Sequence, residues 1–175
     1  MLHLRVAILP WLVLAALLAH AREAAAECPK AKGKPIYRVT RGPVHKPPKG
    51  EKPQTQVFSV FATGRWTWVG PSATEAGQDD ARGGCIAPAA MKELQRALAK
   101  ARFRVAGGVV TTCAALPIAR VKYAALRSGK RVTTEEPCGI PLDKSTAALA
   151  RCAEEAARTT PPPLDELRKI CRGES

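Results

Sequence analysis

The sequence predicts an α+β fold: an antiparallel sheet of about five strands from two β-hairpins, packed by two or three helices and stapled by disulfides. Three observations carry that expectation. Two stretches rich in β-branched and aromatic residues fold back across Gly-containing turns. Later stretches place apolar residues at helical spacing. Six cysteines, an even number, all follow an N-terminal segment built like an export leader.

In that leader Arg5 precedes an apolar run from Val6 to Ala19, followed by Ala19-His20-Ala21 and Ala24-Ala25-Ala26. This is the layout of a secretory signal peptide spanning 1–21 or 1–26. The apolar run of about 14 residues falls short of the roughly 20 a membrane-spanning helix needs. No second long apolar stretch follows, so the expected destination is the periplasm or the extracellular medium. The charged Glu27 before Cys28 does not suit lipid attachment.

The elements follow in order. Residues 27–54 form a Lys/Pro-rich arm that buries little, apart from an edge strand over 36–40 where Tyr37 and Val39 alternate with Ile36, Arg38 and Thr40. One domain is expected over 55–158. It begins with the hairpin Gln56–Ala62 and Arg65–Val69. A two-residue turn at Thr63-Gly64 would pair Phe61 with Trp66 and Ser59 with Trp68. Phe61, Trp66 and Trp68 would then share one face and Phe58, Val60 and Val69 the other, both apolar.

Gly70–Cys85 reads as a Gly-rich loop. Ala87–Phe103 is the best helix, with Pro88 in its first turn and Met91, Leu94, Leu98 and Ala101 on one stripe. Arg104–Cys113 reads as a strand broken by two glycines. A second hairpin, 116–126 with 131–136, turns at Ser128-Gly129 and sets Val132 against Ala125 and Thr134 against Tyr123. Asp143 caps a helix over Lys144–Arg158 that aligns Ala148, Leu149, Cys152 and Ala156. Residues 159–175 supply a Pro-rich break and a short helix carrying Leu164, Leu167 and Ile170.

The cysteines lack the close spacing and nearby histidines of a zinc site, so pairing is expected. Proximity favours Cys113–Cys138 across the second hairpin, Cys28–Cys171 between the termini and, by remainder, Cys85–Cys152.

The chemistry is defined as much by what is missing. After the leader the one histidine is His45, in the arm, so a histidine-activated nucleophile has no rigid base. Phosphate-binding and nucleophile-elbow motifs are absent. Glu75, Asp79, Asp80, Glu135 and Glu136 are the remaining acid–base candidates, and solvated turn acids are the simpler account of them. No catalytic residue, metal or cofactor is expected.

The charge is +13, and removing Arg5 with the leader leaves +12. Such a chain is drawn to anionic surfaces. The candidate binding surface comprises Arg65, Trp66 and Trp68, the helix stripe Lys92, Arg96 and Lys100, and the strand cations Arg120 and Lys122, with Arg131 beside them. The expected function is an exported, non-enzymatic binding protein. A protease-inhibitor-like module would present "RGGC" (82–85) or "CGIPL" (138–142) to a protein partner. A cationic module would hold lipopolysaccharide or another anionic envelope polymer. Nucleic acid is a less favoured partner, because exported chains meet it less often.

Overall fold

The computed structural model describes residues 28–43, 49, 54–72, 78–106, 119–136 and 141–174. The leader, His45, Glu75, Cys113 and Cys138 lie outside the described residues.

The fold is α+β, a six-stranded antiparallel sheet with three helices. The strands are β1 (Tyr37–Pro43), β2 (Gln56–Val60), β3 (Arg65–Pro71), β4 (Asp79–Cys85), β5 (Ala119–Arg127) and β6 (Lys130–Glu136), in the spatial order β4-β3-β2-β1-β5-β6. The helices are α1 (Pro88–Lys100), α2 (Lys144–Ala156) and α3 (Leu164–Arg172).

Two features depart from the expected sheet. The 36–40 strand is interior, paired with β2 on one side and β5 on the other. Tyr37 and Val39 point toward the helices and Tyr37 is fully buried, so this short apolar pair joins the core despite its Pro/Lys surroundings. The sixth strand, β4, comes from the stretch expected to be a loop. Its glycines let it lie close against Trp66 of β3: a Cβ on Gly84 would lie 2.9 Å from Trp66 Nε1, and one on Gly83 2.9 Å from the Trp66 carbonyl oxygen. Of the strand expected over 104–113, the described part makes a single bridge, Val105 with Leu142.

The second hairpin has the expected register, Tyr123 opposite Thr134 and Ala125 opposite Val132. Its central turn residues Ser128 and Gly129 have φ of 48° and 75°, the left-handed pair a type I′ turn requires. The first hairpin is shifted by one residue. Phe61 donates its N–H to Arg65 O, and Gly64 at φ 81° donates to Phe61 O, so the loop is Ala62–Gly64. This is the three-residue loop with glycine in the left-handed position. Val60 therefore opposes Trp66 and Phe58 opposes Trp68, all four on one face. Ser59, Thr67 and Val69 take the other face, which is less apolar than the two-residue turn implied.

The helices cover the face that carries Tyr37, Val60, Trp66, Tyr123 and Ala125. Met91, Leu94, Leu98 and Ala101 bury as α1's expected stripe, and Ala148, Leu149, Cys152 and Ala156 as α2's. Leu167 is fully buried in α3, which packs into the same core as α1 and α2. Asp143 caps α2, accepting from Ser145 N at 3.0 Å and from the Thr146 hydroxyl at 2.6 Å. Arg127, from the end of β5, donates to the α1 carbonyls of Ala99 and Ala101, satisfying that helix's C-terminus.

Among the described residues the disulfides are Cys28–Cys85 and Cys152–Cys171. They replace the expected Cys28–Cys171 and Cys85–Cys152 pairs. Cys28 leads into β1 and finds the end of edge strand β4, whereas α3 folds back onto α2 and brings Cys171 to Cys152. The expected Cys113–Cys138 pair lies outside the described residues.

Candidate functional site

Residues directly opposite in an antiparallel ladder share a face, so the pairings define both faces of the sheet. The outer face, away from the helices, carries Arg65 on β3, Arg38 on β1, Arg120 and Lys122 on β5, and Arg131 and Glu135 on β6. Among the described residues no helix packs on it.

Charge is unevenly distributed over this face. Arg120 pairs with Glu135 at 2.6 Å, Lys122 stands opposite Glu135, and Asp79 lies at the same end of β4. That end is close to neutral. At the other end Arg38 and Arg131 stand with Lys34 from the segment before β1, and Arg65 lies farther along the same end on β3; none has an acidic partner among the described residues.

Here the outer face is hollowed to about 460 Å³, with Lys34, Arg38, Arg131, Phe61, Ala124 and Leu126 among the lining residues. The volume is that of a small-ligand cleft. The local sequence explains its shape. The αL turn at Ser128-Gly129 places Arg131 beside Leu126, its ladder partner, and Arg38 lies between Ser59 and Ala124. Arg38 is half-buried and donates from Nε to Ser59 Oγ at 3.2 Å. A guanidinium has five donors, so this bond holds the group and, among the described residues, leaves its forked end unspent.

The other expected surface residues are dispersed. Lys92, Arg96 and Lys100 are exposed on α1, across the core from the outer face, and Arg96 is tied to Glu93 at 2.8 Å. Trp66 and Trp68 face the helix side, not the outer one. Trp66 packs on the core with Phe58, ring centroids 6.2 Å apart. Trp68 borders a smaller hollow of about 260 Å³ with Phe58, Gln56, Arg41 and Glu154, and the Arg82 guanidinium stands 5.3 Å from its ring centre. Arg65 is thus separated from the tryptophans next to it in sequence.

The acids do not converge either. Asp79 and Asp80 lie on one edge strand and Glu135 and Glu136 on the other. Five strand spacings place them on the order of 24 Å apart. "RGGC" is the end of β4 rather than a projecting loop. Of "CGIPL", Leu142 is buried in the bridge to Val105, and 138–140 lie outside the described residues. Among the described residues there is no cluster of three or more potential metal ligands.

Sequence reasoning missed Lys34 and Arg38. The signal for Arg38 was present in the alternation of 36–40: once Tyr37 and Val39 are core, Arg38 must face outward. The arm's composition hid it.

Two disulfides point to an oxidising, extracytoplasmic location, and no helix among the described residues is long and apolar enough to cross a membrane. The fold and hollow define a disulfide-stapled α+β domain with a cation-lined cleft on a sheet face. No protein-family model matches the chain, and no curated protein sequence matches it.

Proposed function

We propose that this is an exported, non-enzymatic binding protein whose outer sheet face captures an anionic component of the cell envelope, such as lipopolysaccharide. The observation that carries the reading is Arg38, a half-buried cation whose hydrogen bond goes to a neutral hydroxyl. Partial burial strips hydration from a guanidinium, and a neutral hydroxyl returns little of it. A bound anion supplies the missing charge, and Arg65, Arg131 and Lys34 add field of the same sign.

Retention on immobilised lipopolysaccharide tests this. The protein should be held at about 0.05 M salt and released by about 0.5 M, because screening tightens from roughly 14 Å to roughly 4 Å over that range. The double variant Lys34→Gln/Arg131→Gln should elute at lower salt. No retention at low salt, or retention indifferent to ionic strength, refutes the reading.

A further inference from the structure

We infer that the outer-face hollow takes a single anionic amphiphile: one phosphate or carboxylate head held among Arg38, Arg131 and Lys34, with its apolar body over Phe61, Ala124 and Leu126. The inference rests on the anion-binding reading above and narrows it to one molecule per site. Three features carry it. Three cations with no acidic partner among the described residues, Lys34, Arg38 and Arg131, line one hollow, whereas the far end of the face balances Arg120 and Lys122 against Glu135 and Asp79. A long polyanion such as a nucleic acid favours a continuous basic track, and the described residues of this face form none. The hollow also combines its cations with half-buried Phe61 and Leu126, surfaces that a bare inorganic anion would leave in contact with water. The forked end of Arg38 suits two oxygens of one phosphate or carboxylate. A concave site of about 460 Å³ accommodates a monomer rather than the plane of a bilayer.

A homologous series tests the inference on the intact protein. Inorganic phosphate, butyl phosphate and monomeric octyl phosphate are titrated by calorimetry, and the amide shifts of Ala124–Leu126 and the Arg38 Nε–H signal are followed by NMR. Affinity should rise along the series by up to roughly fourfold per methylene that is buried. The shifts should concentrate at those residues. Arg131→Gln, at an exposed position, should weaken every member, whereas Phe61→Ser should flatten the chain-length dependence and spare inorganic phosphate.

Equal affinity along the series overturns the inference, as does binding to phosphatidic acid vesicles without binding to octyl phosphate. If lipopolysaccharide still binds in a salt-sensitive way, the broader anion reading survives that failure. If it does not bind either, both fall.

Discussion

Trp66 lies directly against the backbone of Gly84, its partner across the β3–β4 ladder: a Cβ there would come within 2.9 Å of Nε1 and 3.1 Å of Cε2. The indole is flanked by the core and cannot swing away as a flexible chain would. Gly84→Ala is therefore an overpacking substitution, expected to cost about 1–3 kcal/mol. Gly129→Ala is a useful contrast. Its Cβ would meet nothing within 4 Å, so the cost there is that of a φ of 75° alone. Urea midpoints with unchanged slopes would check both, and a neutral Gly84→Ala would refute the close packing.

Thr146 links two segments through one hydroxyl. It donates to Asp143 at 2.6 Å and accepts from the Phe103 N–H at 2.9 Å. Thr146 is fully buried, and Phe103 is a buried non-glycine residue at φ 53°, a backbone region bulky residues rarely occupy. Thr146→Val keeps the shape but strands the Phe103 N–H and removes a donor from Asp143. The expected loss is about 1–3 kcal/mol, while Thr146→Ser should retain most of the stability. Chemical denaturation of the two variants side by side distinguishes a lost hydrogen bond from lost packing.

The difference between the two hairpins explains how much of the fold could be read in advance. In the second, Val121, Tyr123 and Ala125 alternate with Arg120 and Lys122, and a one-residue slip would bury the cations, so the pattern enforces the register. In the first, the strand entering the turn is apolar on both faces, Val57 and Phe61 on one and Phe58 and Val60 on the other, and Thr63-Gly64 fits a two- or a three-residue loop equally well. Nothing local decides between them; the core does, by taking Val60 and Trp66 together. Strand β4 was harder still. "DDARGGC" lacks the β-branched and aromatic residues that announce a strand, and its glycines have their use only once the indole of Trp66 is placed against them. The candidate site inherits these limits. Arg131 could be placed from the second hairpin, but the hollow also needs Phe61 from the misregistered turn and Arg38 from an arm that composition alone assigns to solvent.

The two disulfides should separate by reduction. Cys152 is fully buried and Cys171 nearly so, whereas Cys85 is exposed at the edge of the sheet. Thiol–disulfide exchange needs access to sulfur, so limiting reductant should open Cys28–Cys85 first. Cys152–Cys171 should then persist until the helices unfold. Timed alkylation and mass mapping read the order, and simultaneous opening would contradict it. Cys152→Ala/Cys171→Ala should also cost about 3 kcal/mol, the chain-entropy expectation for a loop of roughly 20 residues.

Glu93 should make stability pH-dependent on the acid side. It is a buried α1 carboxylate, 5% exposed, accepting from Arg96 at 2.8 Å and from Arg168 of α3 at 3.1 Å. Burial acts to raise its pKa, but hydrogen bonds from Arg168 and Arg96 outweigh burial and hold it below the ordinary carboxylate value. Asp143 behaves alike: burial raises it, and the bonds from Ser145 and Thr146 bring it lower. A carboxyl depressed in the fold binds its proton more weakly there than in the unfolded chain. Its contribution is therefore complete above the unfolded value of about 4.3 and is lost as pH falls through the folded one. Glu93→Gln should lower stability at pH 7 by only about 1 kcal/mol, because both arginines remain within reach of water to rehydrate. Denaturation curves of wild type and variant from pH 7 down to about 2.5 should converge as the carboxyl protonates. A gap that stays constant across that range would mean the glutamate contributes by shape and neutral hydrogen bonding, not by its charge.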